Sequence, residues 1–125
     1  MVLVDTSVWI RSLANRAPYT RELGRLLELE EVAGHELVYG ELLIGDSGGR
    51  KRLLAAYEQM AKASIVPHAE VVAFVRRRQM HGRGIGWIDV HLLASAIVGR
   101  LQLWTADPRL AEAAREFGLD YQTSA

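Results

Sequence analysis

The sequence predicts an α/β fold, in which helices cover a central, mostly parallel sheet. Short apolar runs typical of strands alternate with amphipathic helical stretches along the chain, which is the pattern of a parallel sheet with helical crossovers. The length of 125 residues matches a single domain, because folding units cluster at about 100 to 150 residues. Half of the residues are apolar and 24% are charged, so the chain has enough apolar side chains to build a core.

The first half of the chain predicts two strands and three helices. Asp5, Thr6 and Ser7 follow the first apolar strand and offer capping side chains for a helix that residues 15–18 would stop. Gly45 stands where a left-handed C-cap would end the third helix. The predicted elements are strands at residues 2–4 and 32–33 and helices at about residues 6–13, from residue 20 onward, and 35–44.

The second half predicts four more helices and three more strands. Gly82, Gly84 and Gly86 interrupt the helical pattern, and Gly99 and Gly118 would close the helices before them. The sequence contains no internal repeat, linker or low-complexity tract. The predicted elements are helices at residues 50–62, 67–80, 88–98 and 108–117 and strands at residues 64–66, 101–105 and 119–122.

Composition excludes several kinds of chemistry. The chain has no cysteine, which rules out disulfides, thiolate zinc sites, iron–sulfur clusters and a cysteine nucleophile. No apolar run approaches the roughly 18 to 20 residues that cross a bilayer, and Asp5 stands where a signal peptide would carry basic charge. We therefore expect a cytoplasmic protein with no membrane association.

The charges balance, with 15 basic and 15 acidic residues, so no overall field attracts nucleic acid. A polyanion would have to be held locally. Apart from Lys51 and Lys62 the basic residues are all arginine, the better bidentate partner for phosphate. A coding bias in a GC-rich genome explains the same composition.

Four acidic residues stand at positions that solvation alone explains poorly. Asp5 directly follows the first strand and Asp107 follows the strand at residues 101–105, so both are expected at the carboxyl edge of the sheet, where open α/β folds place their sites. Glu41 is predicted to share a buried helix face with Leu37 and Ile44. Asp89 is predicted to lie on a buried stripe, in the first turn of its helix.

Each acid also has a structural explanation. Asp5 and Asp107 suit the N-cap position, Asp107 especially because Pro108 follows it. Asp89 would gain from the dipole of its helix. Glu41 lies inside its helix and so cannot cap it, and burying an unpaired carboxylate is costly. Only exposure at the surface would give Glu41 a purely structural explanation.

Taken together, the four acids predict a metal site. Two carboxylates about 4 Å apart repel by roughly 4 kcal/mol at an effective dielectric constant near 20, so a cluster of them needs a cation. No lysine or arginine directly adjoins any of the four acids in the sequence, and oxygen ligands without cysteine favour Mg²⁺ or Mn²⁺ over zinc. His91 is expected on nearly the opposite side of its helix from Asp89, as a packing or surface residue.

The segments around the four acids resemble those of the PIN-domain ribonucleases and, within them, the VapC-type toxins of type II toxin–antitoxin pairs. The resemblance spans nearly the whole chain. Its carriers, in order, are VLVDTSVWI with Asp5, VYGELLIG with Glu41, GIGWIDVHLLASA with Asp89 and LWTADPRL with Asp107. One such segment is a weak signal, whereas four in order in a chain of this size are specific.

The resemblance implies a PIN-like α/β/α sandwich over residues 1–125, a single nuclease domain whose acidic cup binds one or two Mg²⁺ or Mn²⁺ ions and hydrolyses RNA. It also implies a cognate antitoxin, whose C-terminal segment wraps the toxin and can block the cup, and a tendency to form a homodimer. Many relatives carry a further acid where this chain has Thr105 and Ala106. How a second ion would be held is therefore open.

Roles for the site residues follow from charge placement. Asp5 and Asp89 are the expected principal metal ligands, while Asp107 would hold a second ion or act through water. Glu41 would orient the attacking water or complete the metal shell. Three hydroxyl residues complete the predicted site: Thr6, Ser7 and Thr105. Their hydroxyls are expected to orient the carboxylates; the alternative is that they form only ordinary helix caps and turns.

Cations outside the cup would hold the RNA phosphates. The candidates are Arg76 to Arg78 with Arg83, and Arg50 to Arg52, although each set also suits a solvated helix face or an antitoxin surface. Residues 82–86 lack the strand-to-helix context of a nucleotide-binding loop and are predicted to be a flexible loop. The three tryptophans are predicted to lie in the core, with base stacking the alternative: Trp9, Trp87 and Trp104.

Three other functions compete with the nuclease hypothesis. A haloacid-dehalogenase-type phosphatase, also Mg-dependent, would need a second acid two residues after Asp5, where this chain has Ser7. A receiver-like module would need paired acids after the first strand and a late lysine, and the sequence has neither. A catalytically silent PIN module that only binds a partner stays open.

Overall fold

Residues 1–123, which the computed structural model describes, form a three-stranded parallel sheet with helices around it. Strand β1 (Val2–Val4) lies in the centre, between β2 (Val32–Ala33) and β3 (Gln102–Trp104). Val2 pairs with Val32 on one side and with Gln102 on the other. All three residues of β1 are buried, because both of its edges are paired and helices cover the sheet. The predicted α/β class with a parallel sheet is confirmed.

Seven helices surround this sheet within the described residues. Helix α1 packs against α2, α3 against α4, and α5 against α6, while α7 contacts both α6 and β3. No helix among them is both long and apolar enough to span a bilayer. Their bounds are α1 (Thr6–Leu13), α2 (Tyr19–Glu28), α3 (Glu36–Ile44), α4 (Lys51–Glu58), α5 (His68–Arg78), α6 (Trp87–Gly99) and α7 (Pro108–Glu116).

Two of the predicted strands are wrong. Residues 64–66 join no strand ladder; the Ser64 carbonyl accepts a hydrogen bond from the Ser95 hydroxyl at 2.8 Å. Nearby, only Lys62 forms an isolated bridge, with Gly34. Residues 119–122 likewise contribute a single bridge, between Asp120 and Leu103. The helix predicted at residues 50–62 ends at Glu58.

The expected left-handed cap at Gly45 is also wrong. Gly45 is right-handed, with φ −84° and ψ 0°. The guanidinium of Arg50 donates to the Leu42 carbonyl at 2.9 Å and so satisfies the end of α3 from across the loop. Helix α6 similarly runs through Gly99, and Arg100 takes the left-handed position instead, with φ 53°.

A buried polar network joins α3 to α6. The His35 Nδ1 accepts from the Leu37 amide at 3.1 Å, and its Nε2 lies 3.0 Å from the Ser95 hydroxyl. Since that hydroxyl already donates to Ser64, the Nε2 must carry the proton and donate. Burial, together with the nearby charge of His91, lowers the pKa of His35 from 6.5 to about 4, so the ring is neutral in the folded protein near neutral pH.

Candidate active site

The parallel pairing of β1 and β3 brings the segments that follow them together. Val4 pairs with Trp104 at the carboxyl end of both strands, and the Asp5 amide continues the contact by donating to the Trp104 carbonyl at 2.9 Å. Asp5 and the turn that contains Asp107 therefore lie at one edge of the sheet, as the sequence predicts for parallel strands.

Asp5 is held by hydroxyl groups and does not cap its helix. Its Oδ2 accepts from the Ser7 hydroxyl at 2.8 Å and from the Thr105 hydroxyl at 2.7 Å. Asp5 stands at the N-cap position of α1, but the expected side-chain cap is wrong, because its carboxylate makes no cap hydrogen bond to the helix. No hydrogen bond within residues 1–123 reaches the other oxygen, Oδ1. The carboxylate is buried, with 4% of its residue surface exposed, and has a fixed orientation.

The same hydroxyls tie the turn after β3 to Asp5. The Ala106 amide donates to the Ser7 hydroxyl at 3.0 Å, and the Asp107 amide donates to the Thr105 hydroxyl at 3.0 Å. Asp107 is an N-cap, as its structural explanation predicts, since its Oδ1 accepts from the Arg109 amide at 2.9 Å. Capping occupies only one of the two carboxylate oxygens and leaves Oδ2 for other contacts.

Glu41 is anchored by a neighbouring helix. The Thr6 hydroxyl, in the first turn of α1, donates to Glu41 Oε1 at 2.6 Å. The expected buried face is wrong: Ile44 is 89% exposed, while Val38 and Leu42 are fully buried. Helix α3 is apolar around most of its circumference, so apolar spacing does not select one face. Glu41 lies half-buried at the margin of the true buried face.

Asp89 occupies the first turn of α6 and is half-buried. The residues that define its predicted stripe, Leu92, Leu93 and Ala96, are all fully buried. Burial raises the pKa of Asp89 from 3.8 to about 6, and the negative charges of Asp5, Glu41 and Asp107 contribute to the rise. The other three predicted acids therefore all act electrostatically on Asp89.

Nothing in the described chain neutralises this negative charge. Every ion pair within residues 1–123 involves another acid: Glu22 with Arg25, Glu116 with Arg83, and Glu112 and Asp120 with Arg115. In that same range no three histidine or acidic side chains lie close enough together to hold a metal ion among them.

The donor set still fits a hard divalent ion. Mg²⁺ keeps several of its waters and binds proteins through one or two carboxylates plus substrate oxygens, so it does not require three direct protein ligands. The oxygens without a hydrogen-bond partner on Asp5 and Asp107, and the carboxyl of Asp89, are donors of the kind that this ion prefers. A cation here would also remove the repulsion that perturbs Asp89.

The predicted non-acidic residues are placed as follows. Trp9 and Trp104 are buried, as expected, whereas Trp87 is 44% exposed. His91 is buried and packs against the Trp87 ring, with centroids 4.9 Å apart, which agrees with the expected packing role. The Thr6, Ser7 and Thr105 hydroxyls orient carboxylates directly, so simple capping does not describe them.

Several of the arginines expected to bind phosphate contact other groups of the protein instead. Arg83 forms an ion pair with Glu116 and contacts the Met80 sulfur. Arg78 lies over the ring of Phe117, with 5.1 Å from its Cζ to the ring centroid, and Arg50 caps α3. The sequence reasoning missed Arg109, whose side chain lies against Gly84. Its place two residues after Asp107 is the one signal in the sequence that would have drawn attention to it.

Comparisons with known proteins agree with the fold and the sequence motifs. A family profile described as PIN domain matches residues 2–116. The chain is 43% identical over 120 residues to Ribonuclease VapC32 of Mycobacterium tuberculosis, in strains CDC 1551 / Oshkosh and ATCC 25618 / H37Rv, with 95% of this chain and 94% of the relative covered.

Two solved structures share the fold. FitAcB from Neisseria gonorrhoeae superposes with a TM-score of 0.64 at 24% identity, covering 92% of this chain and 94% of that chain. PAE2754 from Pyrobaculum aerophilum gives a TM-score of 0.56 at 19% identity, covering 89% of this chain and 77% of that chain. The profile match spans most of the sequence and the VapC relative aligns almost end to end, so the chain belongs to the PIN domain family, in its VapC-type branch.

Proposed function

We propose that the protein is a metal-dependent endoribonuclease that acts as the toxin of a toxin–antitoxin pair. The observation that carries the proposal is the raised pKa of Asp89, which three further carboxylates on separate segments perturb and which no described cation offsets. Strongly perturbed acids in a cluster are typical of functional sites. The similarity to a protein named Ribonuclease VapC32 supports RNA as the substrate.

Each of the four carboxylates would have its own role in the reaction. Asp5 and Asp89 would bind Mg²⁺ or Mn²⁺, with Asp107 contributing its uncapped oxygen to a second ion or to a bound water. A divalent ion in this site would supply a nucleophile by lowering the pKa of its water, and would stabilise charge on the phosphodiester oxygens. Glu41, fixed by Thr6, would orient the attacking water.

Hydroxyl groups prepare the site before any substrate arrives. Two donors converge on Asp5 Oδ2, so the other oxygen keeps a defined direction. Groups that orient metal ligands in this way commonly change metal affinity or activity by 10-fold to 100-fold when they are removed. We infer that Ser7 and Thr105 act on catalysis through Asp5.

The VapC-type relationship supports further expectations as part of the same proposal. Residues 1–125 would form one nuclease domain that works in the cytoplasm. A cognate antitoxin would bind the protein and block the acidic site, and two copies of the chain would associate as a homodimer. A PIN module without catalysis, the remaining alternative, would bind the antitoxin or RNA but leave the RNA intact.

The test is RNA cleavage by purified protein with Mg²⁺, Mn²⁺ or a chelator. We expect cleavage only with a divalent ion, and a loss of at least about 100-fold in Asp5→Asn, because that change removes a charge the ion requires. Glu31→Gln, which alters an exposed acid before β2, is the matched control and should cleave normally. Cleavage that persists both under chelation and in Asp5→Asn would refute the metal mechanism.

A further inference from the structure

We propose that Arg109 binds a phosphate of the RNA backbone beside the acidic site, and that Gly84 positions its side chain. This inference rests on the proposed function, since it assigns a substrate contact to the same site. It is carried by the contact between Gly84 and Arg109, which joins the loop before α6 to the first turn of α7.

Gly84 leaves room for the end of the Arg109 side chain. A Cβ at residue 84 would lie 2.9 Å from the Arg109 Cδ, 3.1 Å from its Nε and 3.2 Å from its Cζ. The end of the Arg109 side chain therefore lies against the glycine, and a larger residue at position 84 would require this flexible side chain to move. The φ of +77° at Gly84 also favours glycine. Gly82 shares that constraint, at φ +75°, but a Cβ there would have no neighbour within 4 Å.

The loop that contacts Arg109 also leads to Asp89. A Cβ at Gly86 would lie 3.7 Å from the Asp89 Oδ2, and the Cα atoms of Gly84 and Gly86 are at most about 7 Å apart along the chain. At the other end of the side chain, the Arg109 amide donates to Asp107. Arg109 is thus connected to two of the four carboxylates through its backbone and through the loop that it contacts.

The Arg109 guanidinium forms no ion pair with an acid within residues 1–123. Arg83, the other arginine of this loop, is paired with Glu116, and Arg115 is paired with Glu112 and Asp120. An exposed guanidinium without a carboxylate partner can donate two parallel hydrogen bonds to a phosphate.

The chemistry of the substrate calls for such a group. A polyanion that approaches four carboxylates is repelled, and a protein with no net charge offers no long-range field to offset this repulsion. A cation at the rim of the acidic site holds a phosphate next to the one that is cut, without neutralising the metal-binding acids themselves. Arg109 meets this requirement, whereas Arg78 and Arg83 are engaged in contacts with α7 and its C-terminal end.

The first experiment measures binding without catalysis. Fluorescently labelled single-stranded RNA is titrated with protein in chelator at several KCl concentrations. We expect Arg109→Gln to weaken binding by about 10-fold and to reduce the slope of log affinity against log salt by about 0.7, the value for one phosphate contact on a single strand. Arg109→Lys should keep the slope and recover part of the affinity. Arg100→Gln, an exposed arginine at the opposite edge of the sheet, should bind like the wild type.

The second experiment tests the role of Gly84 with a double-mutant cycle. Gly84→Ala and Gly82→Ala impose similar backbone strain, but only the Cβ at residue 84 meets Arg109. We expect Gly84→Ala to weaken RNA binding, by less than Arg109→Gln does, and Gly82→Ala to leave it unchanged. In the Arg109→Gln background, Gly84→Ala should cause no further loss, because the two changes remove one interaction.

The outcomes separate this inference from the proposed nuclease function. If wild-type protein cleaves RNA with Mg²⁺ but Arg109→Gln binds RNA with wild-type affinity and salt slope, the Arg109 contact is refuted while the nuclease stands. If Gly84→Ala and Gly82→Ala weaken binding equally, Gly84 has no positioning role. If wild-type protein neither cleaves nor binds RNA, both proposals fail. Thermal melting of each variant verifies that it is folded.

Discussion

Replacing Asp89 with asparagine should stabilise the protein when no metal is present. Asp89 is ionised at neutral pH in a half-buried position among three other carboxylates, and its raised pKa records the free energy that this arrangement costs. Asparagine has nearly the same shape but no charge. The change therefore removes the repulsion and leaves the packing of α6 almost unaltered.

The size of the effect follows from the pKa. A rise from 3.8 to about 6 corresponds to roughly 3 kcal/mol at most, at 1.36 kcal/mol for each pKa unit. Water around the half-exposed carboxyl screens part of this, so we expect a gain of about 1 to 2 kcal/mol in the free energy of unfolding. For a domain of this size that gain raises Tm by about 3 to 8 °C.

The pH dependence gives the sign of the effect. Below about pH 3.8 the carboxyl is protonated in both the folded and the unfolded state, so the wild type carries no cost. As the pH rises from 3.8 through 6, the unfolded state loses its proton first, and the wild type is progressively destabilised. The advantage of Asp89→Asn should therefore grow across this range and stay constant above it.

The assay is thermal and urea unfolding of both proteins between pH 4 and pH 8 in chelator, with Glu31→Gln as the control for loss of an ordinary exposed acid. Added Mg²⁺ should raise the Tm of the wild type much more than that of Asp89→Asn, because binding to the folded state alone stabilises it. A Tm for Asp89→Asn that is below that of the wild type at pH 8 would refute the repulsion argument and favour a capping role for Asp89.

Two further predictions concern stability away from the site. The first concerns His35, whose pKa is lowered to about 4 in the folded state, so that the unfolded chain takes up the proton first as the pH falls. In the Asp89→Asn background, the free energy of unfolding should therefore fall by about 2 to 3 kcal/mol as the pH drops from 6.5 to 4. Equal free energies from urea unfolding at pH 7 and pH 4.5 would contradict this. The second concerns two glycines: Gly24→Ala should raise the free energy of unfolding by about 0.5 to 1 kcal/mol, because Gly24 lies within α2 with open space around its Cβ position. Gly118→Ala should lower the free energy of unfolding, because residue 118 has φ +70°. Thermal melts in which Gly118→Ala is the more stable variant would refute these backbone arguments.

Local patterns predicted the sheet where the strands are short, apolar and buried. Residues 2–4, 32–33 and 102–104 fall within the strands expected from the sequence. Two of the errors fall where a distant side chain satisfies the backbone. Ser95 binds the Ser64 carbonyl and Arg50 binds the Leu42 carbonyl, and neither partner is visible from the residues around the segment. Such contacts decide whether an extended run joins a sheet and whether a helix end needs a glycine.

The residues of the candidate site also fall into those that local sequence patterns predicted and those that they did not. The positions of Asp5 and Asp107 followed from a general rule about the carboxyl ends of parallel strands. The face of Glu41 did not follow from spacing, because α3 has apolar residues on most sides and Ile44 turned outward. The contact between Gly84 and Arg109 depends on how two loops meet in space, so it had no local signature beyond the glycine itself.

The central place of β1 has a consequence for protein synthesis. The ribosome makes residues 2–4 long before one of the two strands that flank them, which starts at Gln102. Until that strand has left the exit tunnel, Asp5 lacks Thr105 as its hydrogen-bond donor and stands apart from Asp107. A nascent or truncated chain therefore has an incomplete set of carboxylates, and any hydrolytic activity begins only after translation of nearly the whole domain.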